Sequence, residues 1–188
     1  MARVPLIADD DPTAVTHGVF STFTAEGRTP IDLYRALANS PRLLLAYRSL
    51  PQTLRHHATT PRRLRELAVL RVAQLVGAAY EWSHHRPMAL AAGVSEEQIA
   101  DLAGWAASAH FSAAERAVLG AVEGMHLLRL TDEGYADLEA ALGRDGALEI
   151  VLVVAQYEAT ARIIQALGVE VEPGYRSHLA DWPDSGAR

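Results

Sequence analysis

Glu81 and His85 stand four residues apart in the run Tyr80-Glu81-Trp82-Ser83-His84-His85, so on a helix they share one face and their side chains can meet. A carboxylate beside an imidazole fixes the ring's tautomer and favours its charged form, which suits a group that gives and takes protons. Trp82 and Met88, with the small apolar residues around them, would wall such a pair from water, and dryness strengthens every charge interaction. The same spacing also makes an ordinary surface pair, worth roughly a few tenths of a kcal/mol. Glu66 sharpens the choice. It falls in the otherwise apolar stretch 61–76, beside Leu67 and in register with Leu70, where a carboxylate needs a partner. Arg62, one turn earlier, is the structural candidate, and His85 on the following helix is the functional one. Spacing leaves both open.

Composition narrows the chemistry. The 188 residues are 49% hydrophobic and 21% charged, enough apolar material for one sizeable core. The net charge of −6 argues against a nucleic-acid partner. There is no cysteine, which removes disulfides, thiolate nucleophiles and thiolate metal sites. All 17 basic side chains are arginine, which removes Schiff-base lysines and the phosphate-loop lysine. The apolar stretch near Met1 is cut off by Asp9, Asp10 and Asp11, too short for a signal sequence. The longest clean apolar run, 147–155, is well under the ~20 residues of a spanning helix. No membrane partner and a cytoplasmic location are therefore expected.

Nearly every segment that must position these groups reads as helix. Residues 1–29 read as an irregular N-terminal arm, 30–168 as a helical domain, and 169–188 as an extended C-terminal tail. Ile31, Leu33, Tyr34 and Leu37 give a short helix. A second begins at Pro41 and meets Pro51, a break or a new turn. Thr60-Pro61 starts the helix of Glu66, which runs to Gly77, and 80–92 is the helix of Glu81 and His85. Ser95-x-x-Gln98 and Ser112-x-x-Glu115 are capping boxes. A helix from Thr131 stops at Gly143, and a longer one runs from Asp145 to Gly168. The fold class is all-α.

The succession of Glu66, then Val72 to His85 and Ala89 to Ile99, resembles the carboxymuconolactone decarboxylase and alkylhydroperoxidase D-like (AhpD-like) superfamily over residues 60–103. Gln156 to Gly168 is similar to a helix near the C-terminal end of longer members. The resemblance implies an AhpD-like helical bundle assembling as a homo-oligomer, trimer or hexamer. In the peroxidase branch a CxxC pair precedes the histidine, and its positions fall here on Ala78 and Glu81, so thiol peroxidase activity is not carried over. The decarboxylase branch has Tyr-Glu-x-x-x-His, matched by Tyr80, Glu81 and His85.

That branch implies cofactor-independent decarboxylation or proton transfer on a small carboxylated lactone or oxo acid, with no metal. His85 would donate the proton or stabilise the enolate, Glu81 would orient it, and Glu66 would be the alternate acid. Arg71 and Arg162 would clamp a substrate carboxylate, Tyr80 and Tyr157 would donate to its oxygen, and Trp82 would wall the site. Two alternatives stand beside this reading. One is a non-catalytic binding or assembly member of the fold. The other is a carboxylate-bridged di-metal oxidase, built from Glu81-x-x-His84, Glu123-x-x-His126, Glu66 and Glu115.

Overall fold

The structure is a computed structural model that describes residues 2–25 and 27–182. Its regular elements are all helical among the described residues. They run α1 (Pro12–His17), α2 (Ser21–Ala25), α3 (Asp32–Leu37), α4 (Pro41–His56), α5 (Arg62–Val76), α6 (Ala79–Ala91), α7 (Glu96–Asp101), α8 (Ala113–His126) and α9 (Asp132–Leu167), with 3-10 turns at Leu102–Gly104 and Pro173–Leu179.

Helix α5 lies at the centre. Leu64, Leu67, Ala68, Val69, Leu70, Val72 and Ala73 are all buried, and so are Arg65 and Glu66, so most of its circumference past the first turn faces the core. It packs on α6, α8 and α9. Gly77 ends it at φ +71, with its N–H returned to the carbonyls of Ala73 and Gln74, a left-handed cap that glycine adopts without strain. The chain then reverses directly into α6, so Glu66 and His85 can approach. The start of α5 is held from outside: Glu149 of α9 accepts the backbone N–H groups of Thr59 and Thr60, each at 2.7 Å. Both predicted capping boxes are present, at Ser95 with Gln98 and at Ser112 with Glu115.

Helix α4 continues through Pro51 to His56, so the proline neither stops nor restarts it. Helix α9 is broken at Gly143, where φ is 73° and ψ 170°, giving the two rods that the sequence predicts on either side of this residue. Only glycine occupies that region readily. A side chain there would meet nothing within 4 Å, so Gly143→Ala tests backbone strain alone. The expected loss is about 1–3 kcal/mol in urea unfolding.

The two ends are more ordered than the sequence suggests. The expected irregular arm contains α1 and α2. Asp11 caps α1 by accepting from Thr13 N at 2.8 Å, and Gly18 closes it at φ +57. Val19, Phe20 and Phe23 are buried in a cluster with Leu33, Tyr34, Leu44 and Tyr80. Helices this short are held by tertiary packing rather than by periodicity, so the sequence carries little pattern for them. The expected extended tail folds at Pro173–Leu179 into a 3-10 turn against α6, while its residues 183–188 lie outside the described residues. No helix among the described residues is long and apolar enough to cross a membrane.

Candidate functional site

A cavity of about 380 Å³ opens between α3, α4, α6 and α9, and its wall includes Glu81, His84, His85, Tyr80 and Tyr157. Glu66 stands directly behind His85. Its Oε2 lies 2.7 Å from His85 Nδ1, and its Oε1 accepts from Arg62 Nε at 3.0 Å. Both partners foreseen for Glu66 are therefore engaged at once. Burial works against ionisation of this carboxyl, but the imidazole of His85 and the guanidinium of Arg62 outweigh it and hold the group below the ordinary glutamate range. With Nδ1 committed to Glu66, Nε2 is the nitrogen His85 has left for a ligand. The ring edge packs on Tyr157, with centroids 4.8 Å apart at 86°.

Glu81 behaves in the opposite way. Its i,i+4 spacing to His85 does not produce a hydrogen bond; the imidazole bonds Glu66 through Nδ1 instead. Glu81 is 3% exposed, and neither carboxyl oxygen has a hydrogen-bond partner. Burial pushes its acid strength down, so its proton is held well above the usual carboxylate range. Two carboxyls flanking one imidazole are thus driven apart, the arrangement that divides acid and base roles between like groups.

The next ring along α6, His84, is sandwiched between Tyr80 and Tyr175, with centroids at 4.4 and 3.7 Å and planes 20° apart in both cases. Glu172 anchors this stack. Its Oε2 lies 2.7 Å from His84 Nε2, and its Oε1 accepts from Tyr80 Oη at 2.7 Å and from the backbone N–H of Asp32 at 2.8 Å. Burial opposes its ionisation, but these three contacts hold it down at about 2. Sequence reasoning missed Glu172, since nothing near it in the chain marks it. The folded protein refuses a proton that the unfolded chain accepts below the ordinary 4.5, so this contribution is present above 4.5 and is lost as the pH falls toward 2. In Glu172→Gln the melting temperature is expected to fall less steeply across that interval than in the unmodified chain.

Of the residues foreseen for substrate binding, Tyr80 and Tyr157 line the cavity, whereas Trp82, Arg71 and Arg162 do not. Trp82 is 1% exposed and packs edge-on against Trp182 at 5.4 Å, in a cluster with Leu67 and Leu70. One step along a helix turns the side chain by about 100°, away from the face of Glu81. The Arg71 guanidinium is held by Glu123, from its Nη2 at 2.5 Å, and by Gln74 at 2.9 Å. Arg162 is 74% exposed, with Glu158 at 4.0 Å. Unforeseen members of the wall are Arg28, Arg55, Tyr34, Tyr47, Gln156 and Thr160. The Tyr47 hydroxyl lies 2.5 Å from Thr160 Oγ1, and burial pushes this phenol up to about 12.

The di-metal alternative fails on ligand placement. Glu115 is engaged by Arg63 and by Gln98 at 3.2 Å, Glu123 by Arg71 and Trp105, and His126 lies 2.8 Å from Glu158. Among the described residues no group of three or more His, Asp or Glu side chains is placed to hold a metal ion.

Residues 41–124 match the carboxymuconolactone decarboxylase family. No curated protein sequence matches the chain. Among solved structures, a cysteine-to-alanine variant of the debrominase Bmp8 in complex with 2,3,4-tribromopyrrole superposes with a TM-score of 0.77 at 21% identity, covering 94% of each chain. An uncharacterized peroxidase-related protein from Silicibacter sp. TM1040 gives 0.75 at 16% identity, covering 92% of each. An Agrobacterium tumefaciens protein of unknown function, described as an AhpD candidate in antioxidant defence, gives 0.67 at 21% identity over 72% of this chain and 94% of its own. At these identities the likeness is one of fold, and the fold is AhpD-like and all-α.

Proposed function

We propose, for a chain that resembles the carboxymuconolactone decarboxylase and AhpD-like superfamily through residues 41–124 and through its fold, that it is a cofactor-independent enzyme. Its reaction is decarboxylation or proton transfer on a small carboxylated lactone or oxo acid, bound in the cavity beside His85. The observation that carries this reading is the contrast between two carboxyls around His85: Glu66, behind the ring, is bonded to it and held below the usual carboxylate range, while Glu81, on the cavity wall, is buried without a partner and pushed well above it.

The roles follow from those states. Glu66 accepts a hydrogen bond from the Nδ1–H of His85, which leaves a lone pair on Nε2 that takes a proton from substrate or, once protonated, returns it to carbon. When CO2 leaves a carbon next to a carbonyl, the electron pair of the broken bond moves onto the carbonyl oxygen. Glu81 hydrogen-bonds that oxygen as charge develops and keeps its own proton, and His85, protonated on Nε2, delivers to the carbon the one proton that takes the place of CO2. Met88, Ile31 and Leu33 on the same wall keep the site dry, which strengthens both interactions. The chain has no cysteine, so the thiol route to peroxide reduction is not part of this activity.

The reading carries with it a homo-oligomer, trimer or hexamer, working in the cytoplasm. It also assigns the catalytic groups to a domain over 30–168, flanked by the arm 1–29 and the tail 169–188. Its test is to incubate the protein in D2O with a panel of carboxylated lactones and oxo acids, following CO2 release and deuterium entry at carbon by NMR. Deuterium is expected at the carbon that loses CO2, or at the carbon next to the carbonyl. A panel that neither loses CO2 nor exchanges above the protein-free rate overturns the reading in favour of a non-catalytic binding member.

A further inference from the structure

We propose that Arg55 is the carboxylate-binding subsite of this cavity, so that its ligand is a small planar monocarboxylate whose uncharged carbonyl oxygen meets Glu81. This deepens the functional reading above and rests on it. Sequence reasoning sought such a cation on Arg71 and Arg162, and the structure spends the first on Glu123 and leaves the second outside the cavity.

Arg55 sits in the last turn of α4 and lines both the main cavity and the small recess behind it that reaches Glu66. Its guanidinium is half-buried and hydrogen-bonds the Tyr157 phenol. A guanidinium has five N–H donors in a planar fork, and a phenol oxygen satisfies a small part of them. No carboxylate is paired with it among the described residues. The acidic charge it feels in this recess is that of Glu66, whose two oxygens are already bonded to Arg62 and His85. Burial works against this cation, but the Tyr157 and Tyr34 phenols and the charge of Glu66 outweigh it and keep Arg55 charged; a ligand carboxylate at the fork would add a direct counter-charge and paired hydrogen bonds.

The rest of the wall points the same way. Among the described residues of the wall the one carboxyl is Glu81, which burial pushes toward its neutral form. The cavity therefore favours an anion. Among the described residues Glu81 has no hydrogen-bond partner, and it is almost fully buried, which marks it as a donor awaiting a ligand acceptor. Tyr34, Tyr47, Tyr157 and Phe23 provide flat walls, which suit an unsaturated ring. The volume of about 380 Å³ is near the small end for ligand pockets.

The test reads binding rather than turnover. Coumalate (2-oxopyran-5-carboxylate), 2-furoate and benzoate are each titrated by calorimetry against their methyl esters. The unmodified protein is expected to prefer at least one carboxylate over its ester by about ten-fold or more. Arg55→Gln should erase that preference while leaving ester binding unchanged, and Arg55→Lys, which keeps the charge but not the fork, should retain part of it. Circular dichroism of each variant checks its folding, and Arg55→Lys carries the comparison if the glutamine variant does not fold. The assignment is overturned if carboxylates and esters bind alike, if none of the three carboxylates binds, or if substitution of Arg55 leaves the preference intact. Loss of the preference with D2O exchange intact removes only the role of Arg55. The preference without any exchange removes the catalytic reading and leaves the subsite.

Discussion

Replacing His85 by Gln is expected to lower turnover by roughly 10²–10⁴-fold, the usual worth of one positioned proton-transfer group. The chain should still fold. A glutamine amide can donate to Glu66 Oε2 in place of Nδ1, now 2.7 Å away, and Arg62 continues to neutralise the other oxygen. The variant loses a nitrogen that can cycle between lone pair and N–H at the cavity. The loss should therefore fall on kcat, with KM little changed, because binding does not need that cycle. Glu66→Gln should reproduce part of the defect by a different route: it removes the charge that holds the proton on Nδ1, so Nε2 is no longer reserved as the basic nitrogen. Steady-state kinetics on the substrate found in the D2O experiment check both. Unchanged kcat in His85→Gln would remove the imidazole from the mechanism.

The second large effect joins stability to activity with opposite signs. Glu81→Leu should make the protein more stable by about 1–3 kcal/mol, the ordinary cost of a buried polar group with no partner, and should reduce kcat by roughly 10²–10³-fold. The gain should grow with pH. Because the folded Glu81 keeps a proton that the unfolded chain releases above 4.5, the native protein loses stability as pH rises from 4.5 toward the elevated folded value. A leucine has no such dependence. Urea unfolding at pH 5 and pH 8 would read the difference directly. For activity the sign is the same: Glu81 must carry its proton to donate, so turnover falls as pH rises through its elevated value. Glu81→Gln, which donates but does not ionise, should flatten that basic limb. A leucine variant less stable than the parent at both pH values would show that the carboxyl has a partner after all.

Much of this architecture is legible in the order of residues, and the reasons are local. Gly77, the two capping boxes and the stop at Gly143 act within a few residues of themselves, and each forms where the pattern places it. The hairpin of α5 and α6 brings Glu66 to His85 because only the two-residue link at Gly77 and Ala78 separates the rods. What is not legible is long-range. Spacing joins Glu81 to His85, yet the shorter path in space goes to Glu66, and i,i+4 geometry has no means of choosing between them. Arg55 lies thirty residues before His85, on a helix whose Pro51 looked like a break, and Glu172 lies in a segment with no helical pattern. Trp82 and Arg71 carry suitable chemistry but point into other environments, because rotation about the helix axis decides which neighbours are met.

The anchoring of Tyr80, His84 and the start of α3 by Glu172 has a consequence for how the protein comes into being. During synthesis α3 to α9 emerge first and can gather around α5, but the fastening of that wall waits for a carboxylate that emerges five residues after α9 ends. A nascent or proteolytically trimmed chain ending before Glu172 would keep its central helices and lose the clasp. Trimming would thus separate ligand capture from the integrity of the helical body.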